Sequence, residues 1–333
     1  MKKYKILIIA PNWVGDIVMS QSLFIMLKDK YKENLTLDVL ANDWTKDILK
    51  RMPEVNNIIT NPFQHGELNI IQRISFGLKL KQNKYDQAII LTNSFKSAII
   101  PFVANINKRT GFVGELRYIL INDIYTLDKN KLPRLVDRFC FLASDNNNQI
   151  KSPKLLTNID NQNKLIKQYH LEDKKLIVIA PSAEYGPAKR WPSNKFSELI
   201  NLLDKEDYYI IILGSKKDAN IAHEIKTSSY NHKILDLVGK TSLSDTVDIL
   251  DVAKYTITND SGLMHIACAT ATSVIALYGS STPNYTPPLS KKATIIKIDI
   301  ECSPCFARTC KFGHYNCLNF ITPQMVLDYI TAN

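Results

Sequence analysis

Short apolar runs alternate along the whole chain with segments whose apolar residues recur at helical spacing. In the first half, residues 5–10, 35–40, 55–60 and 85–91 predict strands, while 17–30, 44–52 and 68–81 predict helices. Residues 136–143 predict a further helix. The alternation restarts at residue 176. Strands are predicted at 176–180, 208–213, 234–238, 255–258 and 274–278. Helices are predicted at 194–203, 218–226, 243–252 and 263–269, with a last one at 325–330 after Pro323. Apolar runs bounded by helical patterns imply parallel sheets covered by helices on both faces. The fold class read from this pattern is α/β, with two doubly wound parallel-sheet domains and a cleft between them. In such sheets ligands sit at the carboxyl ends of the strands, so the loops there are the candidates for chemistry.

Composition shifts between the two series. Ser144-Asp145-Asn146-Asn147-Asn148-Gln149, then Ser152-Pro153, then Asn158-Ile159-Asp160-Asn161-Gln162-Asn163 form a polar stretch that marks a domain boundary. A short helix at 164–170 leads into the second series. The expected domains are 1–155 and 170–320.

The length of 333 residues suits two domains of about 150 residues each. Hydrophobic content of 45% with 22% charge is that of a soluble globular protein, which argues against disorder. No stretch reaches the roughly 18 apolar residues that a membrane span needs. The charged start, Met1-Lys2-Lys3-Tyr4, runs straight into a strand and Pro11-Asn12, the wrong shape for a signal peptide, so the protein is read as cytoplasmic. Formal net charge is +10, and it is uneven. Residues 1–150 carry 21 Lys and Arg against 14 Asp and Glu, whereas the remainder carries 21 against 18. A basic first half suits an anionic partner: nucleic acid, an anionic membrane surface or a phosphorylated substrate. The alternative is a solvated lysine-rich surface.

Four of the six cysteines cluster as Cys302-x2-Cys305-x4-Cys310-x6-Cys317. In a reducing compartment such a cluster favours metal over disulfides, yet the spacing departs from the paired CxxC zinc pattern. Reduced thiols packing an irregular loop are the favoured reading, with a structural metal as the alternative.

The loops after strands carry the candidate chemistry. No Gly-x-Gly-x-x-Gly and no Gly-x4-Gly-Lys-Ser/Thr follows any of them, which argues against dinucleotide enzymes and P-loop NTPases. After the first strand come Gly15, permitting close backbone approach, and Asp16, either a plain helix N-cap or a general base at a cleft mouth. After the fourth, Asn93-Ser94-Phe95-Lys96-Ser97, with Lys96, Arg109 and Arg117 nearby, is placed against an anionic acceptor. In the second half, Ser182 and Lys189 lie in a Pro/Gly-rich loop suited to a diphosphate. Gly214 and Ser215 offer a close backbone approach to a nucleotide. Residues Thr258-Asn259-Asp260-Ser261-Gly262-Leu263-Met264-His265 place a carboxylate, a hydroxyl, a glycine and an imidazole at one strand-to-helix turn, where free N–H groups attract anions. Leu277-Tyr278-Gly279-Ser280-Ser281-Thr282-Pro283 adds a hydroxyl-rich turn.

Taken together, several of these segments resemble the lipopolysaccharide heptosyltransferases of glycosyltransferase family 9. They are Trp13-Val14-Gly15-Asp16 with Met19-Ser20-Gln21-Ser22-Leu23, Arg51-Met52-Pro53-Glu54-Val55, Asn93-Ser94-Phe95-Lys96-Ser97, Gly186-Pro187-Ala188-Lys189-Arg190-Trp191-Pro192, and the 258–265 turn. The order and gaps match from about residue 5 to about residue 330. The resemblance implies a GT-B fold, with donor nucleotide in the second Rossmann-like domain, acceptor in the first, and the helix of 321–333 packing back on the first domain. It implies an inverting transfer of L-glycero-D-manno-heptose from ADP-heptose to the first heptose of the inner core, borne on Kdo2–lipid A, at the cytoplasmic face of the inner membrane.

Under that resemblance Asp16 is the base. Ser182, Ala183, Lys189, Gly214, Ser215, Asp260, Ser261, Gly262, Leu263 and His265 hold the donor. Gly15, Lys96, Arg109 and Arg117 face the acceptor, and no cofactor or catalytic metal is required. Relatives often carry a second hydroxyl residue where Ala183 stands, so a backbone N–H must serve there. Loss of Lys189 is expected to weaken donor use far more than stability. Three rival readings differ: a first- or third-heptose transferase of the same family, a catalytically silent sugar-nucleotide binder, and a basic nucleic-acid-binding protein. The last predicts aromatics interleaved with basic residues on one element, and none occurs.

Overall fold

The computed structural model describes residues 3–64, 66–143 and 150–332. It divides into two compact units, Met1–Pro153 and Lys154–Asn333. The polar run 144–149 that marks the sequence boundary lies outside the described residues.

In the first unit the strands are β1 (Tyr4–Ile9), β2 (Leu35–Ala41), β3 (Asn57–Thr60), β4 (Gln87–Ile90), β5 (Lys108–Phe112) and β6 (Asp123–Tyr125). The second contributes β7 (Lys175–Ala180), β8 (Tyr208–Ile212), β9 (Ile234–Asp236), β10 (Tyr255–Asn259), β11 (Ser273–Tyr278) and β12 (Ala293–Lys297). Each unit holds one six-stranded sheet, ordered β3-β2-β1-β4-β5-β6 and β12-β11-β10-β7-β8-β9. Read from β9, the second sheet repeats the order of the first. Every pairing is parallel.

Strands covered on both faces must be apolar on both faces, which is why the central runs do not alternate. Ile6, Leu7 and Ile8 of β1, and Ile177, Val178 and Ile179 of β7, are all fully buried. Leu7, Ile9, Leu40, Ala88 and Ile90 build one core, joined by Ala98 and Ile100 of the helix Phe95–Val103. Trp191, Phe196, Leu199 and Ile200 cover the other sheet.

In both sheets the chain leaves the first central strand to one side and later returns to the other. That reversal lies between β1 and β4 in one unit and between β7 and β10 in the other. At such a switch point the two flanking loops part, and the gap between them is where ligands bind in open parallel sheets.

The strands that sequence periodicity missed are β5, β6 and β12. They are short, and they carry Lys108, Arg109, Gly111, Asp123 and Lys297. The helix Phe95–Val103 was masked by the internal Pro101. The C-terminal segment falls in the second unit by its contacts. Helix Pro323–Thr331 belongs to the second unit, where Val326 and Ile330 enter the core beside Trp191 and Phe196. Its apolar face has its partner there. Among the described residues no helix is long and apolar enough to cross a membrane.

Candidate functional site

The switch point of the second unit gathers most of the expected donor residues. Asp260 follows β10 directly and is almost fully buried. Its Oδ2 accepts from Lys189 Nζ at 2.5 Å, and Lys189 lies on a short 3-10 turn, Pro187–Lys189, in the loop after β7. Thr286 Oγ1 donates to the same carboxylate at 3.3 and 3.4 Å. A buried carboxylate is tolerated only when paired and hydrogen-bonded, and both conditions are met. The ion pair therefore joins the two loops that flank the switch point.

Asn259 holds that geometry from beneath. It is fully buried, donates through Nδ2 to Pro181 O at 2.6 Å, and accepts at Oδ1 from Trp191 N at 2.9 Å. One amide thus pins both ends of the loop that carries Lys189. Sequence reasoning quoted Asn259 without giving it a role, although a buried amide at a strand end is a signal of this kind. The loop is closed from outside as well. Ala188 N donates to Arg308 O at 3.0 Å, and a Cβ on Gly186 would sit 2.4 Å from that same oxygen. Only glycine allows that approach.

Asp218 is a second organising carboxylate that the sequence reading passed over. It accepts the Ser182 hydroxyl, and its Oδ2 takes Ser215 N and Ser215 Oγ, each at 2.8 Å. The signal was present as Ser215-Lys216-Lys217-Asp218, a capping-box spacing. Gly214 packs close beside it, since a Cβ there would lie 3.1 Å from Asp218 Oδ2. Ser182, Gly214 and Ser215 are therefore brought together around the Asp218 carboxylate. Ala183 is buried, with its carbonyl accepting from Arg190 Nε at 3.1 Å. Ser261, Gly262 and Leu263 are half-buried at the start of the helix Gly262–Cys268.

His265 is buried in that helix. Burial pulls its pKa down to about 4; Asp260 raises it and Lys189 lowers it further. The ring is neutral near pH 7 and brings no positive charge to an anion. The same shift makes a stability prediction. Between the folded pKa of about 4 and the ordinary 6.5, the unfolded chain binds more protons, so stability is complete above 6.5 and falls as pH drops. From this group alone, unfolding free energy is expected to fall by about 2 kcal/mol between pH 6.5 and about pH 5. Urea unfolding of the wild type and His265→Gln at both pH values checks this, and equal acid losses in the two proteins would refute it.

In the first unit, Asp16 is half-buried at the third position of the helix Val14–Tyr31, just after β1. Trp13 is the N-cap, so the plain N-cap reading of Asp16 does not hold. Gly15 is buried beside it. The loop leading to Asp16 is tied down by amides that sequence reasoning missed. Asn42 Nδ2 donates to Asn12 Oδ1 at 2.9 Å, and Asn61 Nδ2 donates to Asn42 Oδ1 at 3.2 Å. These three asparagines follow β1, β2 and β3, so the chain of amides links three strand ends.

Two expected acceptor residues are corrected. Arg117 is buried, and its donors are spent on Phe112 O, Thr92 O, Ser94 O, Ser97 Oγ and Asn93 Oδ1. Burial pulls its guanidinium down to about 10. It shapes the loop after β4 from within and does not face an acceptor. Arg109 bonds Leu120 O at 2.7 Å and Ile106 O at 2.6 Å, with its guanidinium over the Phe102 ring. Both arginines donate to carbonyls of their own unit, and Arg117 also to Ser97 Oγ and Asn93 Oδ1. Lys96 is half-buried and donates to Glu67 O at 3.1 Å.

The clustered cysteines are free thiols, and among the described residues no three His, Cys, Asp or Glu side chains are grouped to hold a metal ion. As placed, Cys302, Cys305, Cys310 and Cys317 form no metal site. The Cys310 thiol is pulled below its ordinary pKa by the backbone N–H of Tyr315, then those of Phe312, Gly313 and His314.

Residues 73–316 match the model for glycosyltransferase family 9 (heptosyltransferase). The chain is 40% identical to lipopolysaccharide heptosyltransferase 2 of Salmonella typhimurium, covering 97% of each protein. It is 42% identical to lipooligosaccharide heptosyltransferase 2 of Haemophilus ducreyi, again over 97% of each. The solved structure of E. coli ADP-heptose LPS heptosyltransferase II superposes with a TM-score of 0.89 at 38% identity, over 98% of both chains.

Proposed function

The chain belongs to glycosyltransferase family 9, the heptosyltransferases, and is a glycosyltransferase of GT-B fold; from that premise we propose that it moves L-glycero-D-manno-heptose from ADP-heptose to the first heptose of the lipopolysaccharide inner core, with inversion. The observation that carries the reading is the Lys189–Asp260 pair at the switch point of the second sheet, in a chain about 40% identical to heptosyltransferase 2 proteins over their full length.

In this reading the donor diphosphate lies against Lys189, Ser182 and the backbone N–H groups at Ser261 and Gly262. Negative charge grows on the leaving ADP as the glycosidic bond breaks, and donors already held in place stabilise it without reorganising. Asp260 accepts hydroxyls of the donor sugar while keeping Lys189 aimed. Its second partner, Thr286, leaves the carboxylate oriented when the lysine turns toward phosphate. Asp218 holds Ser182 and Ser215 in register on the nucleotide side. Asp16 takes the proton from the acceptor hydroxyl as that oxygen attacks the anomeric carbon from the face opposite ADP. With Arg109 and Arg117 committed to their own backbone, Lys96 is the remaining expected cation for the anionic acceptor. The acceptor is borne on lipid A, and the enzyme works peripherally at the cytoplasmic face of the inner membrane.

The test is direct. Purified protein incubated with ADP-heptose and a defined core acceptor ending in one heptose is expected to yield a product heavier by one heptose, with release of ADP. An acceptor that ends in Kdo alone is expected to stay unmodified. Transfer to the Kdo-terminated acceptor only would assign the chain to the first addition instead.

A further inference from the structure

Helix Ile70–Leu80 is amphipathic in the wrong sense for a surface helix. Arg73, Gly77 and Leu80 point inward, while Ile71, Ile74 and Leu78 point to solvent at i, i+3, i+7 spacing. Ile71 is 80% exposed and Leu78 58%. The inward arginine is accommodated by Leu68 O at 2.7 Å, Glu67 O at 3.1 Å and the Phe63 ring. Gly77 lets the helix approach its neighbour Phe95–Val103, since a Cβ there would lie 2.8 Å from Val103 Cβ. The helix is thus anchored through Arg73, Gly77 and Leu80, while Ile71, Ile74 and Leu78 are left in water. Isolated exposed apolar side chains need no explanation, but a row along one helix face does.

The charge around this row is one-sided. From Glu67 to Glu115 there are seven lysines and arginines against three acids, Glu67, Asp86 and Glu115, and Asp86 Oδ2 is taken by Lys5 N. Lys79, Lys81 and Lys84 are all exposed at the C-terminal end of the helix. An apolar ridge with exposed lysines at one end is complementary to an anionic bilayer: the ridge enters the acyl boundary and the cations meet the head groups. We infer that the solvent face of Ile70–Leu80, with Lys79, Lys81 and Lys84, is the surface by which this protein docks on anionic lipid. The inference rests on the reading of the acceptor as a membrane-borne lipid, and it names the element responsible.

The experiment is co-sedimentation of the full chain with two kinds of vesicle. One is phosphatidylethanolamine containing about 30 mol % phosphatidylglycerol, and the other is neutral phosphatidylcholine. Wild type is expected to bind the anionic vesicles and to be released by salt. The triple change Ile71→Ser, Ile74→Ser, Leu78→Ser is expected to lower binding by about tenfold or more, as is Lys79→Gln, Lys81→Gln, Lys84→Gln. Heptosyl transfer to a water-soluble, delipidated acceptor is expected to be unchanged in both variants. Vesicle binding of the serine variant equal to wild type would overturn the inference. So would an absence of wild-type binding to anionic vesicles, or a concentration-dependent dimer that the serine variant abolishes while vesicle binding is nil. Transfer to the soluble acceptor is read separately, so failure of the proposed reaction is distinguished from failure of the docking surface.

Discussion

Asp16→Ala is expected to lower heptosyl transfer by roughly 10²- to 10⁴-fold, the range for loss of a general base. ADP binding is expected to be unaffected, because every residue assigned to the donor lies in the other unit. The fold is expected to survive as well. Asp16 is half-buried in the first turn of an 18-residue helix whose buried face runs from Gly15 to Leu27. Losing a first-turn carboxylate there costs about 0.3–1 kcal/mol through the helix dipole. Asp16→Asn keeps the size and a hydrogen-bonding oxygen but takes no proton, and is expected to fall as far as alanine. Steady-state transfer rates, ADP titration and thermal melting together check this. If either variant keeps turnover within a few-fold of wild type, Asp16 is not the base.

The second large effect is at Lys189, and here the structure changes the expectation. Sequence reasoning foresees loss of donor use with little loss of stability. The structure shows Lys189 as the ion-pair partner of Asp260, with the two side chains only 15% and 4% exposed. Removing the cation leaves a buried carboxylate with Thr286 as its remaining partner, at a cost of about 3–5 kcal/mol. Lys189→Met is therefore expected both to lose donor binding and to melt early. The double variant Lys189→Met/Asp260→Asn removes the uncompensated charge, and is expected to recover most of the stability while donor binding stays lost. Chemical unfolding and ADP titration on the two variants decide the matter. Recovery of ADP binding along with stability in the double variant would make Lys189 purely structural.

Much of the fold was legible because its central strands bury both faces. Runs such as Lys5-Ile6-Leu7-Ile8-Ile9 and Leu176-Ile177-Val178-Ile179 have few alternatives. The strands at β5, β6 and β12 were illegible for the opposite reason. They are short and partly polar, and pairing with a neighbour makes them strands where propensity does not. Among site residues, those lying in long motifs after strands were legible. Asp260 and Lys189 were named from the sequence and lie 2.5 Å apart despite a separation of 71 residues. Arg109 and Arg117 were misread because a basic residue near a candidate loop looks the same in sequence whether it faces an anion or its own carbonyls.

The chain of residues by itself determined two α/β units, the loops that could carry chemistry, and the identity of the groups able to act as base, cation and hydroxyl donor. Those follow from periodicity and side-chain type, which are local properties. The tertiary structure decided which of those groups have partners. It paired Lys189 with Asp260, set Asp218 between two serines and drew Arg117 inside. It also turned the Ile71–Leu78 row outward. Each outcome depends on which backbone carbonyl or carboxylate comes within about 3 Å once distant strands are side by side, and no spacing along the chain encodes that distance.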